Sequence, residues 1–184
     1  MLRRYAILAG LVLWSSAGTV QAQTQVLERS GDWRAYGGDA NDGTAVCGMA
    51  TDFRGREVHI KSFAGRRHLT IQIFKNGWRI PARQQVPIRY SIGRSSWGVQ
   101  ATGNGRKVEW VVRSDAMPDF ERALRTGHEM HVEFRRGDEE DWRVSLNGLN
   151  GVVDSLLRCM DRMENHQRRH GPPPSHPGRS TQPF

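Results

Sequence analysis

The stretch VPIRYSIGRSSWGVQATGNGRKVEWVV, residues 86–112, decides how this sequence can fold. Within it, apolar and polar residues alternate in three runs that begin at Val86, Trp97 and Val108. Alternation with a period of two is typical of β-strands that have one buried and one exposed face. Gly93 and the Gly-Asn-Gly triplet at residues 103–105 separate the runs and tolerate turn conformations. The stretch therefore predicts three consecutive antiparallel strands.

The same alternation continues on both sides of this stretch. Further runs with one apolar face are Leu69-Ile71-Ile73, Met130-Val132-Phe134 and Trp142-Val144-Leu146, with turn signals at Asn76-Gly77 and Gly137-Asp138. Short strands of this kind, separated by tight turns, are typical of antiparallel sheets. We therefore predict a mainly β protein with an antiparallel β-sandwich-like single domain over residues 23–164.

Two segments have helical rather than strand periodicity. In residues 115–126, Asp115 is placed to cap a short helix, Pro118 suits its first turn and Gly127 its end. In residues 150–163, an apolar stripe at helical spacing contains Val152, Val153, Leu156, Leu157, Cys159, Met160 and Met163. We therefore predict one short helix and a C-terminal helix packed on the sheet, with Cys159 facing the core.

The two ends of the chain differ in composition from the domain between them. Arg3 and Arg4 precede an apolar run over residues 6–14, and small residues lead to Ala22, as in a secretory signal peptide. The apolar run is too short to span a bilayer, which needs about 20 residues. We therefore predict residues 1–22 as a signal peptide cleaved after Ala22, which releases a periplasmic or secreted protein without a transmembrane anchor. Residues 165–184, polar and proline-containing, are predicted to form a disordered tail.

Cys47 and Cys159 are the only cysteines in the sequence. An exported protein with an even number of cysteines is expected to pair them, while a free buried thiol is the alternative. The bond would close a loop of roughly 110 residues, worth about 4–5 kcal/mol in the chain-entropy model. Neither cysteine has a neighbouring histidine that could activate it as a nucleophile. We therefore predict a structural disulfide.

The sequence is basic, with 27 Lys and Arg against 19 Asp and Glu and a formal net charge of +8. Signal-peptide cleavage would lower this charge by two, because it removes two arginines and no acid. Arginines interleaved with aromatic residues can bind polyanions through charge and stacking. The arginines of such an anion-binding surface are Arg54, Arg56, Arg66, Arg67, Arg79, Arg83, Arg89 and Arg94, among Trp78, Tyr90 and Trp97. Codon usage in a GC-rich bacterial genome is the alternative explanation for these arginines.

Three short motifs bear on catalysis and metal binding. His128 and His131 are three residues apart in a predicted strand, so they face opposite sides and not a common metal. Residues 39–43 alternate carboxylate and amide oxygens but lack the glutamate that completes a calcium loop. The acidic run of residues 138–141 is expected to face solvent. The sequence has no nucleophile elbow and no phosphate-binding glycine loop, and we predict no enzyme activity, cofactor or metal.

Short motifs at both ends of the domain resemble a known family. They are Gly31-Asp32-Trp33-Arg34, Cys47-Gly48-Met49, Val144-Ser145-Leu146-Asn147-Gly148-Leu149 and Val152-Val153-Asp154-Ser155-Leu156. These motifs resemble those of the invasion-associated locus B family of small exported proteobacterial proteins. The family has a cysteine soon after the first tryptophan, where this sequence has Tyr36-Gly37, so its disulfide scheme differs. The resemblance implies an antiparallel sandwich-like fold, a periplasmic or cell-surface location and a role in the envelope or in host interaction, and it carries over no catalytic residues.

These observations predict an exported binding or interaction protein of the bacterial envelope. Its expected partner is an envelope protein or an anionic envelope component, and export argues against nucleic acid as a partner. One alternative is a protein that binds an anionic surface or glycan through its arginines. A second alternative is a periplasmic hydrolase whose catalytic residues come together only in the fold. The sequence leaves the oligomeric state open.

Overall fold

A computed structural model describes residues 23–170, and the predicted signal peptide and residues 171–184 lie outside the described part. It contains ten strands: β1 Thr24–Ser30, β2 Trp33–Asp39, β3 Ala45–Phe53, β4 Arg56–Phe63, β5 Leu69–Lys75, β6 Ile80–Ile92, β7 Ser95–Gly105, β8 Lys107–Val112, β9 Glu129–Phe134 and β10 Trp142–Ser145. The helices are α1, Met117–Thr126, and α2, Leu149–His170. The mainly β prediction is therefore confirmed.

All ten strands belong to one antiparallel sheet, in the order β1-β2-β3-β4-β5-β8-β7-β6-β9-β10. This sheet is strongly curled into a half-barrel. The sandwich-like part of the prediction is therefore wrong, because the strands of the described residues form one sheet and not two. A sandwich buries apolar faces between two sheets, whereas a single twisted sheet can bury its own face by curling around it. The alternating pattern is the same in both cases, which is why the sequence did not separate them.

The concave face of the sheet forms the core. Met49, Ile60, Ile71 and Trp110 follow one another across four adjacent strands as paired residues, and all four are buried. Their sequence neighbours point to the convex face, as the period of two requires. The register therefore places one continuous apolar face on the inside of the curl.

The curl brings the start of β2 against the end of β10. The Trp33 indole N–H donates to the Ser145 carbonyl at 2.9 Å, and the Asp32 amide donates to the Asn147 carbonyl at 3.1 Å. Gly31 has a φ of +51°, and a Cβ at this position would lie 2.7 Å from the Asn147 oxygen. A residue without a side chain is therefore required where these two segments meet.

The two helices contact each other and pack on the curled sheet. Helix α1 begins after Ala116 without a side-chain cap, so Asp115 does not take the predicted capping role, although Pro118 lies in the first turn as predicted. Helix α2 packs against β1, β2 and β3. It continues to His170, so the predicted tail boundary at 165 is wrong for residues 165–170. Helical ion pairing, as between Glu164 and Arg168 at 2.6 Å, supports these extra turns.

The predicted disulfide is confirmed, and it fastens α2 to the sheet. Cys47 in β3 and Cys159 in α2 are bonded, with 5.8 Å between their Cα atoms. Gly37, which pairs with Cys47, leaves room for the bond, because a Cβ there would lie 2.7 Å from the Cys159 Sγ. A disulfide indicates an oxidising, extracytoplasmic compartment. Neither α1 nor α2 has the length and apolar character of a membrane-crossing helix.

Candidate functional site

An apolar pocket opens at the end of the sheet where the two helices lie, and we call this the open end. Its volume is about 430 Å³, and its walls come from α1, α2, the inner face of the sheet and the loop of residues 64–68 between β4 and β5. Apolar side chains form most of the lining: Met49, Phe63, Leu69, Met117, Phe120, Leu124, Val153, Leu156, Leu157, Met160 and Met163. The volume lies within the usual range of about 300–1,000 Å³ for small-molecule sites.

Helical periodicity explains how the pocket forms. Met117, Phe120 and Leu124 lie at the spacing of one helical face on α1, and Val153, Leu156 and Met160 do so on α2. The two faces converge over the open end without closing it. Four of the lining residues are methionines, whose flexible side chains adapt to ligands of different shape. The pocket can therefore adapt its shape to apolar ligands of different shapes.

The opposite end of the sheet is closed by aromatic side chains, and we call it the closed end. The Trp142 ring stacks on Trp78 with 5.3 Å between centroids, and Phe53 and Phe134 meet it edge-on at 5.9 and 5.8 Å. The Arg56 guanidinium lies 5.1 Å from the centre of the Trp142 ring. Rigid rings thus fill this end of the molecule.

Glu139 connects the aromatic side chains of the closed end. Its carboxylate accepts hydrogen bonds from Trp78 Nε1 and Trp142 Nε1, each at 2.9 Å, and from Lys75 Nζ at 2.7 Å. Partial burial acts to raise the pKa of Glu139, but the hydrogen bonds from Lys75 and the two tryptophans outweigh it and lower the pKa. The expectation that the whole acidic run faces solvent is therefore wrong for Glu139, whose side chain is 14% exposed.

A chain of polar groups lies on the convex face of the sheet. Tyr36 Oη and His59 Nδ1 are 3.1 Å apart, and His59 Nε2 is 3.1 Å from a carboxylate oxygen of Glu57. Burial, helped by the charge of Lys61, lowers the pKa of His59 to about 4, although Glu57 opposes the shift. Burial also raises the pKa of Tyr36, against the opposing charge of Arg34. His59 is therefore neutral at physiological pH and links two strands of the sheet.

Lys61 lies beside this chain and has a shifted pKa of its own. Burial, together with the charge of Lys107, lowers the pKa of Lys61 to about 8. Its ammonium lies 5.9 Å from the centre of the Phe74 ring. Among the described hydrogen bonds, none joins His59 to a serine, threonine or cysteine, and none of these convex-face residues lines the apolar pocket. The His59 chain therefore holds no hydroxyl or thiol nucleophile beyond the Tyr36 phenol, and it lies outside the apolar pocket.

A second, more polar cleft lies where β7 and β8 diverge. The two strands pair only from Thr102 and Glu109 to the turn, and the cleft beyond has a volume of about 600 Å³. The buried Thr70 Oγ1 lines it without a hydrogen-bond partner in the described part of the chain. Burial raises the pKa of Tyr90 to about 12, and the neighbouring Trp110 indole N–H opposes this shift without forming a regular hydrogen bond.

The eight arginines of the predicted anion-binding surface lie in different places. Arg54 and Arg56 are at the closed end, where β3 turns into β4, and Arg79 precedes β6 near the same end. Arg83 lies at an irregularity of β6, Arg89 donates to Ser96 Oγ at 2.9 Å, and Arg94 is in the β6–β7 turn. Only Arg66 and Arg67 line the apolar pocket. The structure thus brings two of the eight together at a cavity.

The other sequence motifs form no metal cluster. His131 lies 2.5 Å from a Glu129 oxygen on β9, and the Asp42 carboxylate accepts from the Thr44 amide at 2.9 Å, as in a polar turn. Within residues 23–170, no three His, Cys, Asp or Glu side chains are grouped as a metal site would require. The absence of metal, cofactor and catalysis stays a prediction.

Sequence reasoning did not find the apolar pocket. Its signal was the width of the apolar stripe on α2, which includes Leu157, a residue that remains 37% exposed. A stripe wider than the sheet can cover indicates that apolar surface is left over for another contact.

Comparison with protein-family models, curated proteins and solved structures gave no match.

Proposed function

We propose that the protein is an exported binding protein of the bacterial envelope and that the pocket at the open end holds the apolar part of its ligand. The observation that carries this proposal is a pocket of about 430 Å³ lined largely by apolar side chains and open between two helices. Apolar surface that stays open to water costs free energy, roughly 25 cal/mol for each Å². A ligand that covers this surface gains that free energy on binding.

The proposed function includes an extracytoplasmic location and draws on the family resemblance. The disulfide supports an extracytoplasmic site of action, and we propose periplasmic or secreted release by cleavage after Ala22. The resemblance to the invasion-associated locus B family rests on the motifs at both ends of the domain, and it supports a role in the envelope. We do not favour the hydrolase alternative, because the convex-face groups with shifted pKa values lie outside the pocket.

An uncharged apolar dye tests the proposed function. N-phenyl-1-naphthylamine fluoresces strongly when it leaves water, so titration into the purified exported protein measures occupancy of an apolar site. We expect saturable binding of one dye per chain. Leu157→Trp should abolish it, because the larger side chain fills the pocket from a wall position that is 37% exposed.

Val111→Trp is the matched control variant. Val111 is 42% exposed and lines the cleft between β7 and β8, not the apolar pocket. This variant adds the same exposed ring elsewhere and should bind the dye like the unchanged protein. Equal dye binding by all three proteins, or no saturable binding by the unchanged protein, would overturn the proposal.

A further inference from the structure

The mouth of the apolar pocket carries a fixed loop with two arginines. Residues 64–68 form this loop, which is fastened to α2 by a hydrogen bond from the Gly65 amide to Gln167 Oε1 at 3.1 Å. On its other side the Arg67 carbonyl accepts from Ser114 Oγ at 3.1 Å, just before α1. The loop is thereby held between both helices, and Arg66 and Arg67 are held at the pocket with it.

The acidic residues of the mouth are already paired with basic ones. Glu121 lies 3.1 Å from Arg125 on α1, and Glu164 lies 2.6 Å from Arg168 on α2. Arg67, in contrast, forms no salt bridge with any described residue. These pairings leave the mouth with an excess of positive charge.

Arg66 adds to this excess. Its guanidinium lies 5.0 Å from the centre of the Phe63 ring, also a wall of the pocket, and its charge helps to lower the pKa of Asp42 after the larger effect of the Thr44 hydrogen bonds. Asp42 itself lines the neighbouring cleft and not the pocket. His68, the third basic side chain, also lines the mouth. An anion placed here would face the guanidinium groups of Arg66 and Arg67.

The interior of the pocket offers few hydrogen-bonding groups. Ser62 is the buried polar side chain of its lining, and the other buried lining residues are apolar. A peptide backbone placed inside would lose hydrogen bonds to water without replacing them, which costs several kcal/mol in an apolar site. A plain hydrocarbon chain has no such cost, so the interior favours an alkyl chain.

We propose that the ligand is a single-chain amphiphile with an anionic headgroup, such as a long-chain fatty acid. Its alkyl chain would lie in the apolar pocket, and its headgroup would lie against Arg66 and Arg67 at the mouth. This inference rests on the proposed function and adds the class of ligand. It commits to a lipid monomer, and occupation by residues 171–184 of the chain or by a membrane surface is an outcome of the test.

Displacement of the bound dye by amphiphiles of one chain length tests the headgroup preference. Dodecanoate, dodecanol and dodecyltrimethylammonium differ in the charge of the headgroup and share the alkyl chain. We expect dodecanoate to displace the dye at a concentration at least about tenfold lower than the other two amphiphiles require, because a hydrogen bond between two charged groups is stronger than one to a neutral group. Dodecyl phosphate should behave like dodecanoate.

A pair of double variants assigns the preference to the mouth. Arg66→Gln with Arg67→Gln should remove most of the preference for dodecanoate over dodecanol and most of its preference over dodecyltrimethylammonium, each taken as a ratio within the same variant. Arg54→Gln with Arg79→Gln removes the same charge at the closed end and should change neither. A loss of preference in both double variants would mean that net charge, not the mouth, selects the anion, and it would overturn the inference.

The outcomes separate this inference from the proposed function. Dye binding with equal displacement by all three amphiphiles would refute the anionic headgroup and keep the apolar site. No dye binding at all would refute the proposed function. Dye binding that requires removal of residues 171–184 would assign the pocket to the tail of the chain itself. Binding to anionic vesicles without displacement by dodecanoate monomers would replace the lipid monomer by a membrane surface.

Discussion

The two ends of the curled sheet are filled with different side chains. At the closed end, Trp142 is surrounded by Trp78, Phe53 and Phe134, and Glu139 hydrogen-bonds the two indoles. At the open end, flexible methionines and leucines line a cavity under two helices. Rigid rings with a satisfied carboxylate fix one arrangement, whereas flexible apolar side chains accommodate several. The difference indicates that packed rings fix one end of the sheet and that a cavity remains at the other, where we propose that the ligand binds.

The largest effect should come from removing the disulfide that holds α2 over the open end. We expect Cys47→Ala with Cys159→Ala to lower the free energy of unfolding by about 4–5 kcal/mol, because the bond closes a loop of more than a hundred residues. Urea unfolding followed by tryptophan fluorescence measures this change. The unchanged protein in reductant should lose a similar amount, and a loss below about 1 kcal/mol would show that packing alone holds the helix.

Next in size is a direct comparison of the two ends. Trp142→Ala should cost about 3–5 kcal/mol, as large-to-small substitutions of buried aromatic residues do, since Trp142 is fully buried. Leu157→Ala at the open end should cost less than about 1 kcal/mol, because its side chain is partly exposed and lies beside a cavity. Thermal and urea unfolding of both variants give the numbers. Similar losses would remove the proposed distinction between the ends.

The strand pattern could be predicted from sequence because it is local. Val86, Ile88 and Tyr90 alternate with polar residues, and this pattern needs no knowledge of which strands pair. The pairing of Cys47 with Cys159 followed from export, from the count of two and from the phase of α2. The single sheet could not be predicted, because curling and sandwich formation bury the same residues and differ only in long-range pairing.

The functional features were harder to predict because they depend on positions in space. Glu139 sits in a turn between β9 and β10, and only the fold brings the tryptophans from both sides to its carboxylate. The apolar pocket depends on the separation of α1 from α2, which no periodicity encodes. The arginines were identified as a group, yet only the fold distinguishes Arg66 and Arg67 from the rest.

Glu139 allows the closed end to be tested without removing a ring. Glu139→Gln should lower the free energy of unfolding by about 2–3 kcal/mol, because Lys75 loses its ion pair and the two indoles lose a charged acceptor. Glu140→Gln is the matched control, since that side chain is 88% exposed, and it should stay within about 0.5 kcal/mol. Equal effects would mean that the carboxylate is not part of the closed end.

The acid stability of Glu139 follows from its lowered pKa. A carboxyl group whose pKa is lower in the folded protein contributes stability above its unfolded pKa, and this contribution is lost as the pH falls toward the folded value. Glu139→Gln should therefore flatten the stability profile below about pH 4.5. A variant that unfolds in acid as steeply as the unchanged protein would contradict the assignment.

The smallest effect concerns His59, which lies on the convex face of the sheet, between the open and the closed end. Its pKa is about 4 in the folded protein, below its usual value of about 6.5, so the unfolded chain binds the extra proton between these values. Stability is therefore complete above about pH 6.5 and is lost as the pH falls toward 4, by about 2 kcal/mol at pH 5 from the linkage relation. His59→Gln keeps a neutral polar side chain beside Tyr36 and Glu57 and should remove this loss. Urea unfolding at about pH 7 and pH 5 measures it. The same slope in both proteins would trace the acid sensitivity to another group.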